Sequence, residues 1–535
     1  MQFDIETDYC VIGAGAAGCV VVDRLSESGR DQVLLLEAGP SDWHPYIHIP
    51  SAFLKLTTDP RFSWNFRMEP EAGLNGRSLP VPQGRMLGGS SSINGMVFMR
   101  GQRAEYDAWA RAGCTGWSYE EVLPFFKRIE RADAGEDAWR GRDGPMRVTS
   151  AGEIHELTRA FVAAGQEAGF PAKPDLNGPE GEGVGLIQNN RDGRFRAGSA
   201  QTYLRRAKRR PNVRIETHAL ATRLLFDGRR AVGAEFVRGG ATLRVRARRE
   251  IVLSGGALKS PQLLQLSGIG GGAHLQRLGI PVLQDLAGVG HDLRDHLYVR
   301  LVHRVRGTQS INERTRGPRL AWEIARYVLS GRGMLSSGAT SGALFCRSAP
   351  EMAFPDLYIT FLPGSFEMAN DRKPLALARF PGMSISVVRA HPDSTGSVLA
   401  TSPDPLAAPA IQPNYLSAPA DREATLRGLA IARRLFAAPS LARLSDGELT
   451  PGAAVSGDDA LLAFARERGS AGLHFTGTCR MGSDPQAVVT PDLKVRGIEG
   501  LRVVDASVMP GCSAGNSHAP TLMVGEKGAD LLRTR

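Results

Sequence analysis

The chain is poor in cysteine and has no long apolar run. Its six cysteines are scattered over 535 residues and none forms a CxxC pair. Neither a disulfide framework nor a zinc-type metal site is therefore expected, and a reducing compartment is favoured. The sequence has no run of about 18 apolar residues, so no transmembrane helix is expected. The first residues lack the features of a secretory signal. We expect a cytoplasmic protein, with peripheral contact to the inner membrane left open.

Positive charge is present in excess, with a net charge of +10. The densest basic runs are "YLRRAKRRPNVR" (203–214) and "RVRARRE" (244–250). Basic clusters can bind nucleic acid through its phosphates, but no aromatic interleaving and no known nucleic-acid module accompanies these runs. They are interpreted as solvated faces, and no nucleic-acid partner is expected.

The N-terminal segment predicts a nucleotide-binding βαβ unit. An apolar strand (8–13) leads into the turn "GAGAAG" (13–18), a short helix follows, and the second buried strand "QVLLLEAG" (32–39) ends near Glu37. Gly13 permits the tight turn, Gly15 lets the backbone approach a pyrophosphate, and Gly18 permits close helix–strand packing. A carboxylate at Glu37 suits a ribose hydroxyl and disfavours NADP, which leaves NAD and FAD open.

Two further segments combine glycine with small polar residues. The segment "GRMLGGSSSINGM" (84–96) places paired glycines before three serines, so that its backbone N–H groups and hydroxyls can face a ring system or a phosphate; the alternative is a flexible linker. The segment "EIVLSGGALKSPQLLQLSGIG" (250–270) predicts a strand, a glycine turn and a helix. Both are candidates for close approach of the backbone to a cofactor.

Most of the eleven histidines are interpreted as structural or surface residues. His296 is included among them, because the adjacent Asp295 and His296 on a turn rarely face each other. His474 in "AGLHFTGTCRMGSDP" and His518 in "SAGNSHAPT" (513–521) lie on predicted loops at the two ends of one strand-like passage. Two such histidines can face one cavity, and histidine is the usual general base near neutral pH. Their spacing alone does not establish catalysis, and no metal-ligand spacing is evident.

Five motifs in one order resemble those of the glucose–methanol–choline (GMC) oxidoreductases, which are FAD flavoproteins, and the resemblance covers almost the whole chain. They are "DYCVIGAGAAG" with Glu37, "GRMLGGSSSINGM", "GGALKSPQLLQLSGIG", "HFTGTCRMG" and "VVDASVMP" with "GNSHAPT". The resemblance implies an α/β fold in which a Rossmann-like FAD-binding domain is interleaved with an α+β substrate domain built on an antiparallel sheet. It assigns 1–157, 198–297 and 468–535 to the FAD-binding domain, 158–197 to a substrate-side loop segment, and 298–467 to the substrate domain.

The resemblance favours FAD over NAD as the cofactor. It implies that 88–94 line the flavin and diphosphate, that Ala221 meets the adenine, and that 505–506 and 520–521 flank the ribityl chain and ring. Some relatives carry a flavin-tethering histidine where this chain has Ile93, so noncovalent binding is expected. The predicted cofactor contacts are Gly13, Gly15, Ala16, Ala17, Glu37, Ala38, Arg85, Gly88, Gly89, Ser90, Asn94, Gly95, Met96, Ala221, Gly255, Asp505, Ala506, Pro520 and Thr521.

The family mechanism implies oxidation of a primary alcohol, with His474 as the base and His518 as the second member of a catalytic pair. Histidine at the second position, where choline-type members carry asparagine, argues against choline, and Phe475 replaces a proline frequent in relatives. Apolar and aromatic segments such as "LYITFLPGSF" (357–366) favour aliphatic, aryl or polyether-like alcohols. The electron acceptor, O₂ or a quinone-like carrier, and the choice between monomer and homodimer stay open. A non-redox hydroxynitrile-lyase branch of the same fold is the alternative.

Overall fold

A computed structural model describes residues 2–150, 153–179, 181–338, 340–367 and 376–533. Two seven-stranded sheets organise the chain. The first sheet has the strand order Val213–Glu216, Val33–Leu36, Ile5–Ile12, Ala241–Leu253, Arg230–Arg238 and Leu220–Asp227, with Leu501–Val503 beside Ala241–Leu253. The second sheet has the order Ser445–Thr450, Leu297–Val305, Gly382–Arg389, Leu357–Leu362, Gly342–Cys346 and Gly183–Leu186, with Ser470–Ala471 beside Leu297–Val305.

The centre of the first sheet is parallel. Strand Ile5–Ile12 pairs in parallel with Val33–Leu36 on one side and with Ala241–Leu253 on the other. Every residue of Val33–Leu36 is buried, and such continuous apolar runs are typical of parallel strands covered on both faces. Parallel strands end at one edge of the sheet, and this edge carries the glycine turns that follow Ile12 and Leu253. The predicted strand–turn–helix units are confirmed at both places.

Two helices distant in sequence pack together on the first sheet. Helix Ala16–Ser26 follows the first glycine turn, and His518–Arg533 is the last helix of the chain. A Cβ at Gly525 would lie 2.9 Å from the Cβ of Val20, so glycine permits this close approach. Because the last helix begins at His518, the polar segment 513–521 is a loop only as far as 517.

The second sheet is antiparallel, as the resemblance implies. Helix Pro419–Ala437 packs on one face, where a Cβ at Gly428 would lie 2.3 Å from a methyl carbon of Val387. The opposite face turns toward the C-terminal loop, because the Tyr358 hydroxyl hydrogen-bonds to Asn516. The parallel and antiparallel sheets together confirm the predicted α/β fold class. The predicted domain boundaries stay a prediction.

The remaining elements connect and cover the two sheets. The other longer helices are Arg103–Arg111, Tyr119–Ile129, Glu156–Glu167, Gly256–Leu266, Gly317–Ser330 and Asp458–Arg468. A five-stranded sheet contains Phe195–Arg196, Gln188–Asp192, Met146–Thr149, Glu130–Ala132 and Val97–Phe98. A three-stranded sheet contains His291–Leu293, Gly396–Leu399 and Ala410–Gln412. Within the described residues, every helix is too short or too polar to cross a bilayer.

Candidate active site

A long cavity begins at the ends of the central parallel strands, where Ile12, Leu36 and Leu253 line it, and continues to His474. Cofactors of open α/β sheets bind at this edge of the sheet, beyond the carboxyl ends of the strands. The cavity thus joins the nucleotide-binding turn predicted near the N-terminus to the C-terminal histidine loops.

The first glycine turn can be built only with glycine. Gly13 has a φ of +102°, and a Cβ there would lie 2.5 Å from the carbonyl oxygen of Ser254. Helix Ala16–Ser26 starts directly afterwards, and its N-cap residue Gly15 supplies no side-chain hydrogen bond. The first N–H groups of the helix therefore remain available for an anionic group, and the helix dipole favours negative charge there.

Glu37 is held rigidly at the end of the second strand. One carboxylate oxygen accepts a 2.9 Å hydrogen bond from the amide of Ala14, and the other accepts one of 2.9 Å from Gly39. Burial raises the pKa of Glu37 to about 7, although these two hydrogen bonds act in the opposite direction. The carboxyl group thus fixes both turns that flank it while lining the cavity.

The serine-rich segment 84–96 packs directly on the first glycine turn. A Cβ at Gly89 would lie 2.8 Å from the Cα of Gly15. The side-chain oxygen of Asn94 accepts hydrogen bonds from the amide of Met96 and, at 2.7 Å, from the buried guanidinium of Arg196. Burial lowers the pKa of Arg196 to about 9. The segment is therefore an ordered wall of the cavity, and the flexible-linker interpretation is wrong.

Two cations lie over one indole ring near the glycine turns. The Nζ of Lys259 lies 4.8 Å from the ring centroid of Trp64, and the guanidinium carbon of Arg85 is also 4.8 Å away. Burial lowers the pKa of Lys259 to about 8, and the buried Nε of Arg85 has no hydrogen-bond partner among the described residues. Such a pair of cations suits a negatively charged diphosphate.

His474 lies between two side chains that hydrogen-bond its two ring nitrogens. Its Nδ1 is 2.9 Å from Nδ1 of His296, and its Nε2 is 2.9 Å from Nδ2 of Asn516. Burial, and next the neighbouring His296, hold the pKa of His474 well below its ordinary value. The ring is therefore a neutral imidazole at neutral pH.

The surrounding hydrogen bonds select one tautomer of His474. Nε2 of His296 lies 2.9 Å from the carbonyl oxygen of Ala390 and must donate to it, while burial lowers the pKa of His296 to about 4. The neutral ring of His296 then has an acceptor at Nδ1, so that Nδ1 of His474 donates. This leaves Nε2 of His474 unprotonated and accepting from Asn516, as a general base requires.

Asp295 holds the backbone that carries His474. Its carboxylate accepts hydrogen bonds from the amides of His474, at 2.6 Å, and Leu473, at 3.2 Å, and from the hydroxyl of Tyr415. Leu473 has a φ of +63°, which a branched side chain adopts only when its surroundings impose it. Burial raises the pKa of Asp295 to about 6. Asp295 thus orients the histidine through its main chain.

His518 lies on the same cavity with different partners. Its Nε2 is 3.4 Å from the hydroxyl of Ser199, and its buried Nδ1 has no hydrogen-bond partner among the described residues. Burial, and next Arg196, lower the pKa of His518 to about 4. The structure therefore places Asn516, and not His518, within hydrogen-bond distance of His474, and the expected role of His518 as the second catalytic residue stays a prediction.

Most of the predicted site residues are brought together along the cavity. Those that line it are Gly13, Gly15, Ala16, Ala17, Glu37, Ala38, Gly89, Ser90, Asn94, Gly95, Met96, Ala221, Gly255, His474, Asp505, Ala506, His518 and Thr521. Arg85, Gly88 and Pro520 are not among the lining residues. Sequence reasoning missed Trp64, Lys259, Arg196, His296 and Asn516.

Comparison with known proteins identifies the family. The GMC oxidoreductase models match residues 7–298 and 392–525. The chain belongs to the GMC oxidoreductase family. It is 39% identical to the oxygen-dependent choline dehydrogenase of Photobacterium profundum over 98% of this chain and 92% of that protein. It is also 39% identical to an alcohol dehydrogenase [acceptor] of Pseudomonas putida, over 98% of this chain and 95% of the relative.

A solved structure supports the same conclusion. Pyridoxine 4-oxidase from Mesorbium loti superimposes with a TM-score of 0.88 at 31% identity, over 98% of both chains. This GMC protein is thus an FAD-dependent oxidoreductase acting on CH–OH groups. The cavity suits FAD: Ala16 and Ala17 at the uncapped helix N-terminus and the cation Lys259 line it, and the glycine turns leave room for a diphosphate.

Proposed function

We propose that this GMC oxidoreductase oxidises an uncharged primary alcohol to the aldehyde, with His474 as the general base. The observation that carries this proposal is the pairing of His474 with His296, which leaves Nε2 of His474 free of a proton at the cavity wall. When bound, FAD supplies the acceptor for the hydride of the carbinol carbon.

The side chains of this site divide the proton chemistry between them. The alcohol O–H takes the place of the Asn516 amide at Nε2 of His474 and gives its proton to that nitrogen. The Asn516 amide has two N–H groups, so one can donate to the substrate oxygen and stabilise negative charge on it. His296 keeps accepting from Nδ1 of His474 and so supports the imidazolium form. A base of this kind contributes about 10²–10⁴-fold to the rate.

The charges near His474 favour an uncharged alcohol over the quaternary ammonium of choline. The ring of Tyr298 lies 6.1 Å from that of His474, and the guanidinium of Arg300 lies 5.3 Å from the centroid of Tyr298. The nearby carboxylate of Asp295 is turned toward backbone amides. The Asp295 carboxylate is thus engaged by the main chain and is not offered to a quaternary ammonium, while the aromatic ring beside His474 suits aryl or aliphatic alcohols.

Anaerobic mixing of the FAD-loaded enzyme with benzyl alcohol, 1-hexanol and choline tests this proposal. We expect the flavin absorbance to bleach fastest with the two uncharged alcohols. Faster bleaching with choline would contradict the assigned substrate class but not the role of His474. A flavin that stays oxidised with every alcohol, together with cleavage of a cyanohydrin, would establish the lyase alternative instead. Repeating turnover with O₂ and with a soluble quinone identifies the preferred acceptor.

We also propose that FAD is bound noncovalently. Ile93, at the position where some relatives carry a tethering histidine, is buried in an apolar cluster with Ile47, Phe62 and Met86. Precipitation with acid is expected to release the yellow colour into the supernatant. Colour that stays in the washed pellet would show a covalent link at another residue.

A further inference from the structure

Helix Gly317–Ser330 is built inside out. Its exposed residues include Trp322, 66% exposed, Val328, 58%, and Leu329, 83%, while its buried residues are Glu323 and Tyr327. At 100° per residue, the exposed apolar residues 321, 322, 324, 328 and 329 form one continuous outer stripe, and the exposed Arg319 and Ser330 lie to one side of it. A surface helix normally directs its apolar stripe toward the core.

The inner face of this helix is fixed by buried charge rather than by apolar packing. Glu323 is 2% exposed and pairs with Arg314 at 2.7 Å and with Arg326 at 3.5 Å. Its carboxylate also accepts a hydrogen bond from the amide of Met334. Removing one partner of a buried ion pair strongly destabilises a protein, so the helix cannot roll to bury its apolar stripe. The outward orientation is therefore a property of the fold.

Neighbouring elements extend the exposed apolar surface. The guanidinium of Arg194 donates to the carbonyl of Val328 and lies over the ring of Phe195, which is 51% exposed. Arg196, next along the chain, donates to the carbonyl of Ile47 in the short helix Pro45–His48. Just before that helix, Trp43 is 68% exposed. Exposed aromatic rings thus occur on three connected elements.

Basic residues flank the apolar stripe. Residues 314–332 contain five arginines and one acidic residue, Glu323, which is buried. Arg314 and Arg326 are paired with Glu153 and Glu323. Arg316 and Arg332 are exposed at the two ends of the helix, and Arg319, with 54% of its side chain exposed, lies 3.7 Å from Glu313. An apolar stripe with tryptophan, bordered by arginine, is typical of helices that lie in the interface of an anionic bilayer.

We propose that helix Gly317–Ser330, with Phe195 beside it, docks this enzyme on the surface of an anionic phospholipid bilayer. The helix has 14 residues and is about 21 Å long and about 10 Å wide, so its outer face offers about 200 Å². A stable interface between two protein copies needs about 800 Å² on each partner. A single amphipathic helix with flanking cations is sufficient for reversible membrane contact.

Docking at this face would bring the bilayer close to the cofactor-binding stretch. The segment after the helix reaches Gly338, where a Cβ would lie 2.7 Å from the carbonyl oxygen of Gly95. Arg196 also links the docking surface to Asn94 through a 2.7 Å hydrogen bond. A membrane-dissolved substrate or electron acceptor would therefore have a short route to the site.

Flotation of the FAD-loaded full-length enzyme with vesicles tests this inference. Vesicles of phosphatidylglycerol and phosphatidylcholine in equal parts should carry the enzyme upward, and vesicles of phosphatidylcholine alone should carry far less. The double substitution Trp322→Ser and Leu329→Ser should lower vesicle binding about tenfold or more. Arg316→Gln and Arg332→Gln should each lower it about fivefold. Turnover with a soluble acceptor should not change in any of these variants.

Leu406→Ser is the matched control, because Leu406 is 74% exposed on a different loop. This variant should float like the unsubstituted enzyme. Absence of flotation with the anionic vesicles would overturn the proposal, as would equal loss of binding in the Leu406→Ser variant. A dimer in solution that Trp322→Ser and Leu329→Ser dissociate, without vesicle binding, would assign the face to a second copy instead. Thermal unfolding of each variant shows whether it is folded.

Discussion

His474 and His518 lie on the wall of one cavity, and burial lowers the pKa of each. Their partners nevertheless differ. Both ring nitrogens of His474 face side chains, and those bonds determine which nitrogen carries the proton. His518 has a long contact to Ser199 and a buried Nδ1 without a partner among the described residues. Burial keeps a histidine neutral, but only a directed hydrogen-bond chain makes it a base with a defined free nitrogen.

The largest expected difference between the two histidines is in the rate of flavin reduction, which replacing His474 should lower most. His474→Ala should lower the rate of flavin reduction by alcohol about 10³-fold, because the base is removed. FAD should stay bound, since the glycine turns and Glu37 are untouched. Stopped-flow absorbance under anaerobic conditions measures the rate, and the flavin-to-protein absorbance ratio measures occupancy. Near-normal turnover would refute the assignment of the base.

Replacing His296 tests whether the hydrogen-bond chain matters for the base. His296→Ala should lower kcat about 10²-fold with little change in KM, because His474 then takes either tautomer. His296→Gln, whose carbonyl oxygen can still accept from Nδ1 of His474, should recover part of the loss. If both variants are equally active, or fail equally in thermal unfolding, His296 has only a structural role.

Replacing His518 is expected to change the rate of flavin reduction less. His518→Asn should weaken FAD affinity severalfold while leaving flavin reduction within about threefold, because the ring lines the cavity without contacting His474. Fluorescence titration of the apoprotein with FAD measures the affinity. A loss of flavin reduction as large as that of His474→Ala, with FAD fully bound, would restore His518 as a catalytic partner.

The smallest effect is expected at a histidine outside the cavity, where burial changes the stability of the fold and has no part in catalysis. His303 stacks on Phe436, and burial lowers its pKa to about 4. When the pH falls below about 6.5, the pKa of histidine in the unfolded chain, His303 binds a proton in the unfolded chain but stays neutral in the folded one. The free energy of unfolding therefore decreases. Relative to His303→Gln, the unsubstituted enzyme should lose about 2 kcal/mol between pH 7 and 4, because solvent screens part of the effect. Urea unfolding across this pH range measures the free energy of unfolding of both proteins. A difference between them that does not change with pH would contradict the prediction.

Sequence patterns predicted the cofactor half of the site better than the catalytic half. Glycine turns follow buried strands, so their structure is determined locally and Gly13 and Gly15 could be placed from spacing alone. The pairing of His296 with His474 spans 178 residues, and local sequence carries no signal for it. Asp295 and His296 do point apart, as expected of neighbours, but one contacts the backbone of His474 and the other contacts its ring.

The choice between Asn516 and His518 depended on where a helix begins. The pattern predicted a polar loop through 521, in which His518 faces His474. Because the helix starts at His518, that side chain follows the helix direction toward Ser199. The preceding Gly515, with a φ of +147°, turns the loop so that Asn516 reaches His474. The inside-out helix also escaped prediction, since its apolar stripe resembles that of any core-facing helix.

The pairing of Leu501–Val503 with Ala241–Leu253 also has a consequence for biosynthesis. The first sheet gains this strand only after almost the whole chain has left the ribosome. Helix Ala16–Ser26 can pack against helix His518–Arg533 only later still, because that helix is synthesised last. The second sheet, largely encoded between the two halves of the first, can form while those surfaces are still open. A chain released from the ribosome before residue 501 would therefore contain the first glycine turn but would lack the C-terminal residues that complete the wall of the cofactor cavity.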